Sequence, residues 1–377
     1  MKILVAIDSF KGSLSSLEAG IAVKTGISDL CDEVVVKPIA DGGEGSVEAL
    51  ADALGAEFVE VIVENPLREK TLARYALKGD IAVLEMASAS GLTLIEKHKR
   101  NPMITSTFGF GQMILHAIGK GARKFIVGIG GSATNDAGMG MLSALGYEFY
   151  DENGNLLSGK GENLIKVTRI SEQNVARELR ECEFLVACDV DNPLFGKNGA
   201  AYVYGPQKGA DEEMVRQLDT GLISFASATS EHFASEFWNF KGAGAAGGLG
   251  FGFVSFLNAK LKPGIEIIIN EIKLEDEISK ADLIITGEGR LDAQSSMGKT
   301  PTGVAKIAKK YNKPVIALAG SVKECASGCN NNGIDAFFSI LNEPISLEEA
   351  MKKEVAIKNL SQVAAQAVRL FKLNLAP

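Results

Sequence analysis

Ile3-Leu4-Val5-Ala6-Ile7-Asp8-Ser9-Phe10-Lys11-Gly12-Ser13-Leu14 opens the chain, and Asp282-Leu283-Ile284-Ile285-Thr286-Gly287-Glu288-Gly289-Arg290-Leu291-Asp292 repeats its grammar near the other end. Each is a short apolar run that stops at small residues and acids. A run with no polar alternation suits a strand buried on both faces, as in a parallel sheet covered by helices. Outward from the first run, the sequence predicts a helix over Ser16–Gly26, with Ser15 and Glu18 at capping-box spacing. A strand over Val34–Ile39 ends at Ala40-Asp41-Gly42-Gly43, and a helix runs from about Gly45 to Leu54. Outward from the second run come a helix over Thr302–Tyr311, strands over Pro314–Ala319 and Ala336–Ile340, and a largely helical Leu347–Phe371.

Joined, the two ends supply five strands with intervening helices, the count of a flavodoxin-like α/β sheet. The expected organisation is a discontinuous domain, residues 1–66 with 278–377, interrupted by an inserted mixed α/β domain over 67–277. A chain of 377 residues is long enough for two cores. In the middle, Leu72–Leu77 and Ile81–Met86 flank Lys78-Gly79-Asp80, a hairpin signal. A helix is expected around Gly111–Ile118, strands at Lys124–Ile129 and Glu183–Cys188, and a helix over most of Glu212–Phe237. Tyr147–Tyr150 followed by Asp151-Glu152-Asn153-Gly154 suggests a second hairpin.

Charge narrows the function. Lys plus Arg number 39 against 47 Asp plus Glu, a net charge of −8, which argues against nucleic acid or an anionic membrane as the main partner. A small anionic substrate remains compatible, because it feels only its local field. Neither a leader nor an apolar run of membrane-spanning length is recognisable. The odd set Cys31, Cys182, Cys188, Cys325 and Cys329 is read as reduced thiols, hence a cytoplasmic protein.

Five strand-to-loop segments carry the polar chemistry: residues 7–13, 39–45, 127–136, 187–192 and 285–292. Gly130-Gly131-Ser132-Ala133-Thr134-Asn135-Asp136 reads either as an anion site at a helix start or as a tight strand-to-helix turn. Gly242-Ala243-Gly244-Ala245-Ala246-Gly247-Gly248-Leu249-Gly250 has so little side chain that its backbone can approach a phosphate. It contains GxGxxG, but no strand is expected before it, so a dinucleotide fold does not follow, and no P-loop motif is present. Lys11, Arg290 and Lys299 offer positive charge, Lys299 being best read as a surface cation. Asp189 and Asp191 would share one side if their strand continues, as a Mg²⁺ pair, or would form an Asx turn before Pro193. His98, His116 and His232 lack the neighbours of a catalytic triad. Positioned cations, Mg²⁺ and a carboxylate to accept a hydroxyl proton are the parts of phosphoryl transfer to a small hydroxy acid.

Together with Glu85-Met86-Ala87-Ser88-Ala89-Ser90-Gly91-Leu92, Asp189-Val190-Asp191-Asn192-Pro193-Leu194 and Gly205-Pro206-Gln207-Lys208-Gly209-Ala210, these segments resemble, in order and over essentially the whole chain, the type 1 glycerate kinase family of bacteria. The resemblance implies ATP-dependent, Mg²⁺-assisted phosphorylation of D-glycerate to 2-phosphoglycerate, with 3-phosphoglycerate as the alternative product. A non-catalytic sugar-acid sensor on the same scaffold is the rival from another class. It also implies an inserted domain of restriction-endonuclease type, and a monomer or homodimer. Carried onto this sequence, Lys11 and Arg290 would hold the carboxylate or the transferring phosphoryl group. Asp189, supported by Asp191, would take Mg²⁺ or the hydroxyl proton. Asp8, Ser9, Asp41, Glu44, Glu288 and Asp292 would line the substrate site. Gly130, Gly131, Ser132, Thr134, Asn135, Gly242, Gly244, Gly247 and Gly248 would cradle the nucleotide.

Overall fold

The protein's structure, a computed structural model, describes residues 1–40, 46–234, 238–292 and 300–373. Two compact units emerge, Met1–Gly55 with Ile265–Pro377, and Ala56–Gly264. In chain order, the first opens with β1 (Lys2–Ile7), α1 (Ser16–Ile27), β2 (Glu33–Val36) and α2 (Ser46–Leu54). The second holds β3 (Glu57–Glu64), β4 (Lys70–Lys78), β5 (Ile81–Glu85), α3 (Ala87–Ser90), α4 (Phe108–Gly119), β6 (Lys124–Gly128), α5 (Met139–Ala144), β7 (Glu148–Tyr150), β8 (Arg169–Ser171), β9 (Glu183–Ala187), α6 (Ala200–Tyr204), α7 (Glu212–Phe233), α8 (Ala245–Leu257) and β10 (Lys260–Lys262). The chain returns with α9 (Gly264–Glu271), α10 (Leu274–Lys280), β11 (Leu283–Leu291), α11 (Thr300–Lys310), β12 (Val315–Val322), β13 (Ala336–Ser339), α12 (Leu347–Ala350) and α13 (Lys353–Leu373).

The first unit is one five-stranded sheet in the order β2-β1-β11-β12-β13, all parallel. Counted along the chain that is 2-1-3-4-5, a doubly wound order whose direction reverses between β1 and β11. The reason is visible in the two opening runs. Ile3, Val5, Ile7, Leu283 and Ile285 are fully buried, and one core joins them to Ala19, Val23 and Ile27 of α1 and Leu360, Ala364 and Val368 of α13. Residues apolar on both faces are stable only between helix layers. The capping box at α1 is present: Ser15 Oγ accepts the Glu18 N–H at 3.2 Å, and Glu18 Oε2 accepts the Ser15 N–H at 3.0 Å.

The second unit has a mixed six-stranded sheet, β10-β9-β6-β5-β4-β3. Strands β10, β9, β6 and β5 run parallel, and β4 and β3 are added antiparallel. The β4–β5 hairpin turns at Gly79, whose φ of 58° an L side chain rarely adopts. Three details depart from the sequence reading. Residues 57–64, given no element there and placed before the insertion, form β3 of this sheet. Glu148–Tyr150 pairs in a ladder with Arg169–Ser171, with only an isolated bridge from Tyr150 to Leu156 across the local turn. Strand β2 stops at Val36 instead of running to Ile39. Among the described residues, no helix is long and apolar enough to cross a membrane.

Candidate functional site

The carboxyl end of β1 meets the carboxyl half of β11 where the strand order reverses. The Asp8 N–H donates to the Gly287 carbonyl at 2.9 Å, extending the pairing by one residue. Asp8 is 5 % exposed. Its Oδ1 accepts the Ser9 N–H at 2.6 Å and its Oδ2 accepts the Thr300 hydroxyl at 2.8 Å. Thr300 opens α11, so the carboxylate ties a strand end to a helix start, where the helix dipole favours negative charge. Phe10 and Leu14 exchange backbone hydrogen bonds at 2.9 and 3.0 Å and are both buried. That closes a tight turn with Gly12 at φ 79° and leaves Lys11 exposed at its tip.

Strand β11 runs past the end of β1 and carries half-buried Glu288 and exposed Arg290. A Cβ on Gly289 would lie 3.4 Å from Phe10 Cα and 3.5 Å from the Lys11 nitrogen, so the turn lies directly on this strand. Strand alternation sends Glu288 and Arg290 to the face opposite Gly289. Lys11 and Arg290 thus reach the end of β11 from different faces. Half-buried Asp292 follows the strand. Asp41, Glu44 and Lys299 lie outside the described residues.

In the second unit the parallel strands β5, β6 and β9 deliver their following loops to one edge of the sheet. Those loops are knitted together by backbone. The Leu92 N–H donates to Gly131 O at 2.9 Å, and the Ala133 N–H to Ser90 O at 3.0 Å. The Thr105 hydroxyl donates to Ala133 O at 3.0 Å. Gly130 and Gly131 are exposed, whereas Ser132, Thr134, Asn135 and Asp136 are buried. Around Gly130 a Cβ would meet nothing within 4 Å. The surface this loop offers a ligand is therefore its first two glycines.

Gly242, Gly244, Gly247 and Gly248 behave differently: all four are buried. A Cβ would lie 2.7 Å from Cys188 Sγ at Gly242, 2.2 Å from Pro193 O at Gly244, 2.0 Å from Thr134 O at Gly247 and 2.9 Å from Ala137 Cα at Gly248. Protein occupies the space these glycines leave. Ala246, Gly247 and Gly248 take consecutive left-handed conformations, φ 54°, 72° and 87°, and Gly247 O accepts the Ala137 N–H at 3.0 Å. The two glycine-rich segments are thus packed back to back.

Strand β9 stops at Ala187, so alternation does not set the directions of Asp189 and Asp191. Asp189 Oδ1 accepts the Gly264 N–H at the start of α9, at 3.1 Å, while Asp191 pairs with Lys241 at 2.8 Å. Both aspartates are exposed. Their carboxylates are hard oxygen donors, and one or two of them with phosphate oxygens and water is the set Mg²⁺ prefers, so the residues fit that ion. Among the described residues, no three His, Cys, Asp or Glu side chains gather as a metal-binding group.

Three polar residues at this edge, Asp136, Thr107 and Lys208, have no individual role in the sequence reading, although Asp136 and Lys208 lie in segments it singles out. Asp136 is fully buried, and its carboxylate accepts from the Thr107 N–H and hydroxyl at 2.8 and 2.7 Å and from the Gly138 and Gly140 N–H groups at 3.2 Å. Burial pushes its carboxyl upward and these hydrogen bonds pull it back. The Thr107 oxygen also accepts the Met141 N–H at 2.8 Å. Lys208 is 1 % exposed and donates to Ser132 Oγ at 2.7 Å and Thr134 O at 2.6 Å. Its one signal in sequence is its place inside Gly205–Ala210, where a lysine usually faces water.

The Glycerate kinase family model matches residues 3–372. The chain belongs to the glycerate kinase family. A Halalkalibacterium halodurans glycerate kinase is 46 % identical over 372 residues, covering 96 % of this chain and 98 % of the relative. An Escherichia coli K12 glycerate 2-kinase is 45 % identical over 356 residues, covering 93 % of each. A crystal structure of a Salmonella typhimurium LT2 protein, provisionally named glycerate kinase 2, superposes with a TM-score of 0.92 at 42 % identity, covering 100 % of this chain and 99 % of that one.

Proposed function

We propose that the protein transfers the γ-phosphoryl group of ATP to D-glycerate, giving 2-phosphoglycerate and ADP. The observation that carries this reading is the placement of Asp8 and Lys11 on the segment after β1, and of Glu288 and Arg290 on the neighbouring end of β11, at the reversal point of a chain that belongs to the glycerate kinase family. Ligands of doubly wound sheets bind outside the carboxyl ends of strands at that point. Lys11 and Arg290 supply the cations for the glycerate carboxylate or the phosphoryl oxygens. The buried Asp8, with Ser9, shapes the floor, and Glu288 and Asp292 line it, with Asp41 and Glu44 assigned to the same group from sequence. Asp189, supported by Asp191, holds the Mg²⁺ that travels with ATP or accepts the proton of the attacking hydroxyl. The ion, when bound, neutralises charge on the phosphates. Gly130 and Gly131 face the nucleotide phosphates, and Gly242–Gly250 supports them from behind.

The two compact units are taken as two domains, a flavodoxin-like one built from both chain ends and a restriction-endonuclease-like insertion. The 2-1-3-4-5 order supports the first. A cytoplasmic location and a monomer or homodimer complete the reading. The thiols of Cys31, Cys182 and Cys188, all free, are consistent with a reducing compartment.

The deciding experiment is a coupled assay with ATP, Mg²⁺ and D-glycerate, the product identified by phosphorus NMR. A 2-phosphoglycerate signal is expected. A 3-phosphoglycerate signal would keep the kinase and change the hydroxyl. Glycerate binding without turnover would replace the kinase with a sensor.

A further inference from the structure

Among the described residues, Lys208 is the one lysine or arginine that is buried. An ammonium group sheds its hydration at a cost of several kcal/mol, so burial demands oxygen partners. Two are in place, Ser132 Oγ and Thr134 O, and both belong to the loop after β6. The turn carrying Lys208 is closely packed. Gly209 closes it at φ 95°, and a Cβ there would lie 2.3 Å from Arg100 O. The nearby anion, Asp136, is already satisfied by Thr107, Gly138 and Gly140 and makes no direct hydrogen bond to Lys208. In the same loop, Thr134 Oγ1 and both polar atoms of the Asn135 amide are buried without a hydrogen-bond partner. This loop is therefore built over a positive charge that its own groups leave only partly answered, with Gly130 and Gly131 open to solvent above it.

We propose that Lys208 is a positioning residue for the nucleotide: from beneath, its ammonium fixes Ser132 and Thr134 and gives the Gly130–Gly131 turn its preference for a phosphate oxyanion. This rests on the reading that Gly130 and Gly131 face nucleotide phosphates. A charge in a low-dielectric interior acts across the loop with little screening, so direct contact with the ligand is unnecessary. Burial also pushes the ammonium down to about 7, with Asp136 the charged group that draws it back up. An anion arriving above the loop then favours the protonated form, and binding takes up a proton.

The test is calorimetric titration of the full chain with MgADP, alongside steady-state kinetics, for wild type, Lys208→Met and Gly130→Val. Methionine keeps the length and removes the charge; valine at Gly130 enters space where a Cβ would meet no protein atom within 4 Å. Lys208→Met is expected to weaken MgADP about tenfold or more and raise the KM for ATP alike. Its KM for D-glycerate and its kcat at saturating ATP should stay within about threefold. If Gly130→Val loses MgADP while folded Lys208→Met binds it as wild type does, Lys208 is merely structural and the proposal is overturned with the loop reading intact. If neither variant changes MgADP affinity, the loop reading itself falls. A Lys208→Met loss confined to D-glycerate would also overturn the assignment. Should Lys208→Met not fold, proton uptake by wild type on binding MgADP at about pH 8, read from buffers of different ionisation enthalpy, decides. Uptake supports the role, and none overturns it.

Discussion

The loop after β1 and the loop after β6 begin alike in sequence, each an apolar strand running into glycine, serine and an acid, yet they place their charges in opposite ways. After β1, the apolar Phe10 and Leu14 turn inward and Lys11 is left exposed. After β6, Asp136 and the Lys208 ammonium are the interior, and two glycines are the surface. The first arrangement suits chemistry performed by side chains, which can swing to a substrate. The second suits recognition by a fixed backbone, whose shape depends on the buried charges beneath it. An acid after a strand is thus no guide to its role until its donors are counted: four for Asp136, and the Ser9 N–H and Thr300 hydroxyl among those of Asp8.

The largest expected effect tests the fixed character of the second region. Gly247→Ala places a Cβ 2.0 Å from Thr134 O at a φ of 72°, so strain and overpacking add. The cost should be about 3 kcal/mol or more in a denaturant melt, whereas Gly130→Ala should cost less than about 1 kcal/mol. Equal costs would erase the contrast. On the other side, Lys11→Ala should retain wild-type melting and lose at least ~100-fold in kcat, about 2.7 kcal/mol of barrier. Asp189→Asn is expected to lose a similar factor. Near-normal turnover by either variant would remove that residue from the mechanism.

The contrast also marks where sequence reading stops. Strands β1, β11 and β12 were legible because apolar residues on both faces have one stable setting, between helix layers. Ser15 and Glu18 announced the start of α1 through spacing alone. Strand β3 was not legible: its exposed Phe58 and Ile62 break the inward-apolar pattern, and its partner β4 decides its place. The glycines of 242–250 read in sequence as room for a phosphate, since a missing side chain looks the same whether ligand or backbone fills the space. The burial of Lys208 is not legible for a related reason: nothing within six residues of sequence says that Ser132 and Thr134 will meet it.

A smaller effect separates the two acids. Thr107→Val keeps the shape but takes one donor from buried Asp136 and the acceptor from the Met141 N–H. Both losses fall on groups shielded from water, so about 2 kcal/mol of stability should go. Thr300→Val, which removes the hydroxyl from Asp8, should cost about 1 kcal/mol, because Asp8 keeps the Ser9 N–H. Chemical denaturation of the two variants side by side gives the ranking, and a reversed order would mean that the strand-end acid, not the interior one, is the keystone.

The smallest effect is a pH dependence with an unusual sign. An unfolded lysine binds its proton up to about pH 10.5, whereas burial lowers Lys208 to about 7 in the folded chain. Between those values the unfolded state holds more protons, so this group makes the folded state more stable as pH rises. The contribution is complete above about pH 10.5 and is lost as pH falls through about 7. Over the single step from pH 7 to 8 it amounts to about 1 kcal/mol. Other titrating groups are shared by wild type and Lys208→Met, so the difference between their denaturation curves isolates it. Wild type should gain about 1 kcal/mol more than the variant over that step. A difference of zero would mean that Lys208 keeps its proton throughout, with Ser132, Thr134 and Asp136 fully replacing water. The charge beneath the loop would then be permanent, nucleotide binding would take up no proton there, and the two regions would differ only in where their charge sits.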